Sequence, residues 1–178
     1  MEHFSSTCTL LIMKKKLIAL CLFLTVSLAL RAQDLVIPQN LTLESHDDYI
    51  NTEKLVVQCI DWLQQTTFGE EKEERKKVQN FLLRWMSGSP TVMIQIKEGL
   101  IPLDKPEILM AFMQGWTRYS LLHKKASSVV DCAMAGVEYA LDVYNKNKRY
   151  LGRLRLMEKL IERKQKQQLR IFIERKFK

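Results

Sequence analysis

The chain has 178 residues, a usual length for a single domain. It is 47% hydrophobic and 27% charged and holds few glycines and prolines, so it is globular and neither collagen-like nor linker-like. Four cysteines are too few for a disulfide-framework miniprotein, and 28 basic against 20 acidic residues give a net charge of +8.

The first 32 residues have the pattern of a secretory signal peptide. Lys14–Lys16 is a basic start, residues 17–30 are uncharged and mostly apolar, and Ala32 is a small residue before Gln33. The run is shorter than the roughly 20 residues that a spanning helix needs, so we predict cleavage between Ala32 and Gln33, with an uncleaved anchor as the alternative. Because the basic region normally opens a signal, Met13 is the expected start of the natural chain.

The lysine-rich start and the Ala32-Gln33 junction resemble the signal regions of exported proteins of Bacteroidetes-type bacteria. The resemblance covers only the signal region. It implies a periplasmic or secreted location and implies nothing about activity.

Charge is unevenly distributed along the rest of the chain. Removal of residues 1–32 leaves 24 basic and 19 acidic residues, a net charge of +5. Residues 33–145 hold 11 basic and 16 acidic residues, whereas residues 146–178 hold 13 basic and 3 acidic ones. The sequence therefore predicts an acidic body followed by a strongly cationic C-terminal segment.

The first elements after the signal are predicted as an arm and two helices. Residues 33–50 are expected to be extended, because a proline and an alternating Leu-Thr-Leu run favour extended backbone. Apolar residues recur at helical spacing over 51–67, where Asn51 or Thr52 is the expected N-cap. They recur again over 70–86, where acids fill the first turns and suit the positive end of the helix dipole.

The middle of the chain combines an ambiguous segment with a buried helix. Residues 91–98 alternate as a strand does, but a buried helical turn is also consistent with them. Asp104 is a candidate cap for the next helix, with Pro106 close to its first turn. That helix has Arg118 as its only charge between Ile108 and Leu122, and it is apolar on every side, so we place it centrally.

The last elements complete an all-α fold. Residues 126–145 form a helix with several small residues, and residues 149–168 form one with a basic outer face. The end, from Leu169, satisfies both helical and strand periods. We therefore predict a bundle of about five helices over 51–178, with a basic C-terminal helical segment over 149–178 and room for a minor strand pair.

Two cysteines, Cys59 and Cys132, remain after the signal, both among apolar residues at helical spacing. They are interpreted either as two buried thiols or as a disulfide, which an exported location permits. Sequence alone does not show whether the two lie within bonding distance.

The residues that carry chemistry are few. His46 and His123 are the only histidines after the signal, and zinc-protease, paired C-x-x-C, nucleophile-elbow and phosphate-loop motifs are absent from the sequence. His46 is interpreted as part of a polar turn in which Asp47 or Asp48 caps backbone, and His123 as a residue that contacts the carbonyls at a helix end. We expect no cofactor and no bound metal.

Acidic and aromatic side chains on helix faces supply the remaining candidates. A glycosidase needs only two carboxylates at a suitable separation. Glu138 and Asp142 share one face, and Asp61 and Asp131 also lie on apolar faces, although such acids are more often at the rim of a core. An aromatic group either fills the core or lines a pocket: Trp62, Trp85, Trp116, Tyr139, Tyr144 and Tyr119.

The cationic segment is a solvated helix face or a contact surface. Its candidate contacts with an anionic partner are Lys148, Arg149, Arg153 and Arg155. The partner is an acidic protein, the protein's own body or an anionic membrane surface. Nucleic acid is not expected, since an exported protein rarely meets it.

The sequence as a whole indicates an exported, periplasmic, non-catalytic helical domain that binds a protein or a small ligand. Two alternatives remain. One is a small exported hydrolase that uses helix-borne carboxylates, and the other is a membrane-surface-associated protein held by its basic C-terminal helix.

Overall fold

The computed structural model describes Leu35 and residues 37–38, 41–124 and 127–178. The predicted signal peptide, its cleavage site at Ala32 and Gln33 and the expected start at Met13 lie outside these residues.

Helices form nearly all of the regular structure. The seven helices of the described residues are α1 His46–Gln65, α2 Lys72–Gly88, α3 Pro106–His123, α4 Val129–Lys146, α5 Lys148–Leu151, α6 Arg155–Gln165 and α7 Leu169–Lys176. The all-α prediction is confirmed, with seven helices instead of about five.

The expected strand pair is not formed in residues 41–124 and 127–178. Residues 92–97, which alternate like a strand, have no regular structure. Val92 is buried while Met93 is 80% exposed, so the alternation reflects an irregular segment with one side packed inward.

Helix α1 begins at His46, five residues before the predicted start, and so includes the end of the predicted arm. The cap is Ser45, not Asn51 or Thr52. Its hydroxyl accepts from the Asp48 N–H, while the Asp48 carboxylate accepts from the Ser45 N–H, which is a capping box. The prediction that Asp47 or Asp48 caps backbone is thus confirmed for Asp48, and these two hydrogen bonds fix the start of α1.

Helices α3 and α4 pack against each other at two glycines. A Cβ on Gly136 would lie 2.8 Å from the Phe112 carbonyl oxygen, and one on Gly115 would lie 2.7 Å from the Ala135 carbonyl oxygen. The two backbones are therefore in direct contact. The predicted central position of α3 is confirmed, since eight of its residues are buried.

The predicted helix over 149–168 is broken. Gly152, at φ 69° and ψ −172°, ends α5 in a conformation that is essentially restricted to glycine. Gln167, at φ 56°, separates α6 from α7. The helical spacing of the apolar residues continues through the break at Gly152, which is why the sequence pattern predicts one long helix; the break at Gln167 lies in a stretch, 162–168, without apolar residues.

The broken C-terminal segment belongs to the core. Met157, Leu160, Leu169 and Ile173 are buried, and the Phe177 ring lies 6.2 Å from that of Trp116. The region from Leu169, which satisfies both periods in sequence, is helical. Its apolar side therefore faces the body, and most of its basic residues remain accessible to solvent.

Candidate functional site

A pocket of about 180 Å³ opens between α1, α3 and α4. It is lined by Gln64, Gly115, Arg118, Tyr119, Ala135, Glu138, Tyr139 and Asp142. Gly115 and Ala135 lie where α3 and α4 are in close contact, and the longer side chains around them form the other walls. This pocket combines charged, aromatic and amide groups, so it is a candidate small-ligand site.

Tyr139 joins two walls of this pocket. Its hydroxyl donates a hydrogen bond of 2.8 Å to the Ile60 carbonyl oxygen on α1, and burial raises the pKa of the phenol well above its usual range. The hydroxyl therefore stays protonated and ties α4 to α1.

Most charges around the pocket are neutralised within the protein. Arg118 Nε lies 2.6 Å from Asp61 Oδ1, and Lys164 Nζ lies 3.2 Å from Glu138 Oε1. Asp142 is exposed and forms no ion pair within the described part of the chain. A ligand would thus meet one free carboxylate beside two compensated pairs.

The candidate carboxylates do not face each other across this pocket. Glu138 and Asp142 come from the same helix, and no acid of a second helix among the described residues lines the space. Asp131 is elsewhere, at the start of α4, where Ser128 and Arg170 bind its carboxylate and lower its pKa. The hydrolase alternative predicts facing acids, which this arrangement does not supply.

The predicted aromatic group is mainly structural. Trp85, Trp116, Tyr139 and Tyr144 are buried, whereas Trp62 and Tyr119 are half-buried. Of the six, Tyr119 and Tyr139 line the pocket, and Tyr119 stacks on His123 with ring centroids 3.9 Å apart.

Neither histidine belongs to a metal-ligand cluster. His46 is exposed in the first turn of α1, and His123 Nδ1 lies 2.9 Å from the Tyr119 carbonyl oxygen, which confirms the predicted contact at the end of α3. Residues 41–124 and 127–178 contain no group of three or more potential metal ligands.

Cys59 and Cys132 are buried and free. Burial raises the pKa of the Cys59 thiol to about 12 and also raises that of Cys132. Both side chains are therefore protonated and poorly nucleophilic at neutral pH.

Part of the cationic C-terminal segment binds the acidic body. Arg170 Nη1 lies 2.9 Å from Asp131 Oδ1, and Lys164 pairs with Glu138. Lys146 and Lys176 donate to the backbone carbonyl oxygens of Gln64 and Glu98. The segment thus compensates some of the body's negative charge.

The four predicted contact residues divide into one bound lysine and three free arginines. Lys148 Nζ lies 3.0 Å from Glu158 Oε1 and 5.0 Å from the centroid of the Tyr144 ring. Arg149, Arg153 and Arg155 are exposed, and none forms an ion pair with the described residues. We call these three arginines and Tyr150 the arginine surface.

The backbone next to the arginine surface is held firmly. Asn147 is buried, and its Oδ1 accepts a hydrogen bond of 2.9 Å from the Phe68 N–H. The Tyr144 hydroxyl donates to Glu158 and accepts from the Leu154 N–H at 3.0 Å. Tyr150 is 62% exposed although its hydroxyl lies beside Gly69. The arginines therefore extend from a fixed turn.

One residue that the sequence analysis did not single out is Arg75. It is only 6% exposed and is a charged member of the buried side of α2, which otherwise consists of Val78, Leu82, Trp85 and Met86. The available signal was its spacing of three, seven and ten residues from Val78, Leu82 and Trp85, which places it in register with the apolar stripe.

Comparison with protein-family models, with curated proteins and with solved structures found no match to this chain. Within the described residues, no helix is both long enough and apolar enough to cross a bilayer. The functional inferences below therefore depend on the residues and their geometry.

Proposed function

We propose that this chain is an exported, non-catalytic helical domain that binds an acidic protein partner through the arginine surface. The observation that carries the proposal is the exposure of Arg149, Arg153 and Arg155 within seven residues around the break at Gly152, where none of them forms an ion pair with the described residues. The signal-peptide pattern supports export.

The composition of the surface favours a protein partner. Arginine and tyrosine are the residue types, with tryptophan, that contribute most to protein interfaces, and the exposed Tyr150 follows Arg149 directly in the chain. Arginine also forms bidentate hydrogen bonds with carboxylates, which a lysine cannot do. Acidic side chains of a partner would thus find both charge and geometry.

The test measures binding of the purified chain to immobilised poly-L-glutamate and, separately, to vesicles of anionic phospholipid. Replacement of Arg149, Arg153 and Arg155 by Gln should weaken poly-L-glutamate binding about tenfold, since exposed ion pairs contribute roughly 0.5 kcal/mol each. Binding should weaken as salt is raised, because the contacts are solvent-accessible.

A matched control removes three exposed cations from elsewhere in the same segment. Lys166, Arg175 and Lys178 are exposed and form no ion pair within residues 41–124 and 127–178, so their replacement by Gln changes the net charge equally. An equal loss in both triple variants would contradict a specific surface. Stronger binding to vesicles than to poly-L-glutamate would replace the protein partner by the membrane-surface alternative.

A further inference from the structure

A second pocket, of about 170 Å³, lies beside the start of α2. It is lined by Phe68, Lys72, Arg75, Lys76, Gln79 and Glu107. Positions 72, 75, 76 and 79 share one face of the helix. We call it the Arg75 pocket.

Arg75 is only 6% exposed as a residue, but its guanidinium is half engaged, and the nitrogens without a partner are not among the buried unpartnered atoms of the described residues. Its Nη1 donates to the carbonyl oxygens of Leu63, at 3.3 Å, and Thr66, at 2.9 Å, and also to the Thr66 hydroxyl. Its Nε and Nη2 donate to no acceptor in the described part of the chain, and no carboxylate there forms an ion pair with it.

A largely buried charge that forms no ion pair is only partly compensated, here by the more distant Glu70 carboxylate. Burial accordingly lowers the pKa of Arg75 from its usual value. The unused Nε–Nη2 edge is the edge of a guanidinium that binds both oxygens of a carboxylate or phosphate side by side. The residue therefore presents a bidentate donor edge, free of intramolecular hydrogen bonds in the described chain, at the wall of a pocket.

The neighbouring side chains extend the same chemistry. Lys72 and Lys76 are exposed, and neither is paired with an acid among the described residues. The Phe68 ring lies under the guanidinium, with Cζ 5.2 Å from its centroid, and gives the pocket an apolar wall. Glu107 is exposed and is the one acid that lines this pocket.

We propose that the Arg75 pocket binds a small organic oxyanion. The carboxylate or phosphate of the ligand takes the Nε–Nη2 edge of Arg75, Lys72 and Lys76 supply further positive charge, and an apolar part of the ligand contacts Phe68. The pocket has the volume of roughly six water molecules at about 30 Å³ each, which leaves room for such a part beyond the oxyanion.

The proposal does not rest on the acidic partner, because the two surfaces share no residue, although they adjoin where Asn147 accepts from the Phe68 N–H and the Tyr150 hydroxyl lies beside Gly69. Its test is calorimetric titration of the full chain with phenyl phosphate and with benzoate, and with neutral benzamide and inorganic phosphate as reference probes. At least one ring-bearing oxyanion should bind with a Kd of about 1 mM or tighter. The tighter of the two identifies the oxyanion group.

Paired variants assign the binding to this pocket. The Lys72→Gln/Lys76→Gln double variant should weaken the affinity about tenfold, since it removes two charges next to the oxyanion. Lys77→Gln is the control, because Lys77 is exposed on the same helix and its Nζ contacts Glu74 at 2.7 Å instead of the pocket. That variant should bind as the unmodified chain does.

Arg75→Lys tests the bidentate edge, since it keeps the charge and removes the planar fork. It should lose binding, and circular dichroism reports whether it is folded. If it is unfolded, the comparison of the Lys72→Gln/Lys76→Gln double variant with Lys77→Gln decides whether the pocket binds the oxyanion. Absence of binding by both ring-bearing probes, equal binding of benzamide, or an equal loss in Lys77→Gln would overturn the proposal. Equal binding of inorganic phosphate would overturn the role of Phe68.

Discussion

At the scale of single residues, buried polar groups and glycines decide the geometry of this protein. Arg75, Asn147 and Tyr139 each donate to or accept from the backbone of another element, at Thr66, Phe68 and Ile60. Since an unpaired buried polar group is costly, these contacts define how the elements meet.

Gly136→Ala should destabilise the protein by about 1 kcal/mol, the middle of the range that the two opposing effects leave. The added Cβ would lie 2.8 Å from the Phe112 carbonyl oxygen, which belongs to the backbone and cannot rotate away. Overpacking costs about 1–3 kcal/mol, and the roughly 1 kcal/mol of helix propensity that alanine gains offsets part of it. Urea unfolding of the two chains measures the difference.

Gly69→Ala is the control for that substitution. There the new Cβ meets the end of the Tyr150 side chain, which is exposed and can move. The free energy of unfolding should change by less than about 0.5 kcal/mol, as is usual at surface positions. A Gly136→Ala chain as stable as the unmodified one would show that α3 and α4 are not in backbone contact.

At the scale of elements, helical periodicity was sufficient for the long helices and failed at their ends. The buried stripe of α3 and the small residues of α4 were visible in the sequence, and both helices formed within a few residues of the predicted bounds. The break at Gly152 was not visible, because a single backbone torsion interrupts an apolar pattern that otherwise continues, and the one at Gln167 lies in a polar stretch, 162–168, where no apolar period exists to be interrupted.

The start of α4 should contribute to the acid sensitivity of the fold. Hydrogen bonds from Ser128 and Arg170 hold the pKa of Asp131 below its usual value, so the folded state binds a proton there less readily than the unfolded chain. This contribution is present above the unfolded pKa of about 3.9 and is lost as the pH falls through the lower, folded pKa. Stability should therefore decrease upon acidification.

Asp131→Asn should make the unfolding free energy less dependent on acid, and should lower it at neutral pH. Urea unfolding at neutral and at strongly acidic pH gives both values. Asp104→Asn, in the exposed loop before α3, is the control and should leave the difference between the two pH values as it is in the unmodified chain. An unchanged difference in Asp131→Asn would exclude the carboxylate as a contributor.

At the scale of the whole molecule, charge asymmetry was evident from the sequence, but its use was not. The acidic body and the cationic segment were predicted, and the ion pairs of Glu138 and Asp131 show that part of the asymmetry is internal compensation. The sequence offered four candidate contacts, Lys148, Arg149, Arg153 and Arg155. It could not show that Lys148 pairs with Glu158 while the three arginines form no ion pair with the described residues. The Arg75 pocket was not predicted, because it depends on where the backbone of residues 63–68 runs. That backbone accepts hydrogen bonds from Arg75 Nη1, while the Nε–Nη2 edge of the guanidinium, at the wall of the pocket, forms none within the described chain.

The last prediction concerns export and the leader at residues 1–32. Expression of the printed sequence in a Gram-negative host should give a periplasmic product whose mass corresponds to a chain that starts at Gln33. The Ala32→Arg variant should retain the leader, since the cleavage site needs a small residue. Mass spectrometry of cell fractions checks both. An intact leader on a cytosolic product would contradict the assignment.

The close contact of α3 and α4 at Gly115 and Gly136 limits which substitutions can reshape the pocket between α1, α3 and α4. Gly115 both lines that cavity and touches the α4 backbone, where a Cβ would lie 3.0 Å from the Gly136 Cα. A larger side chain at position 115 would occupy part of the cavity and would also force α3 away from α4. Related sequences can therefore change the shape of the cavity at Tyr119 or Gln64, whereas the packing of α3 on α4 requires glycine at position 115.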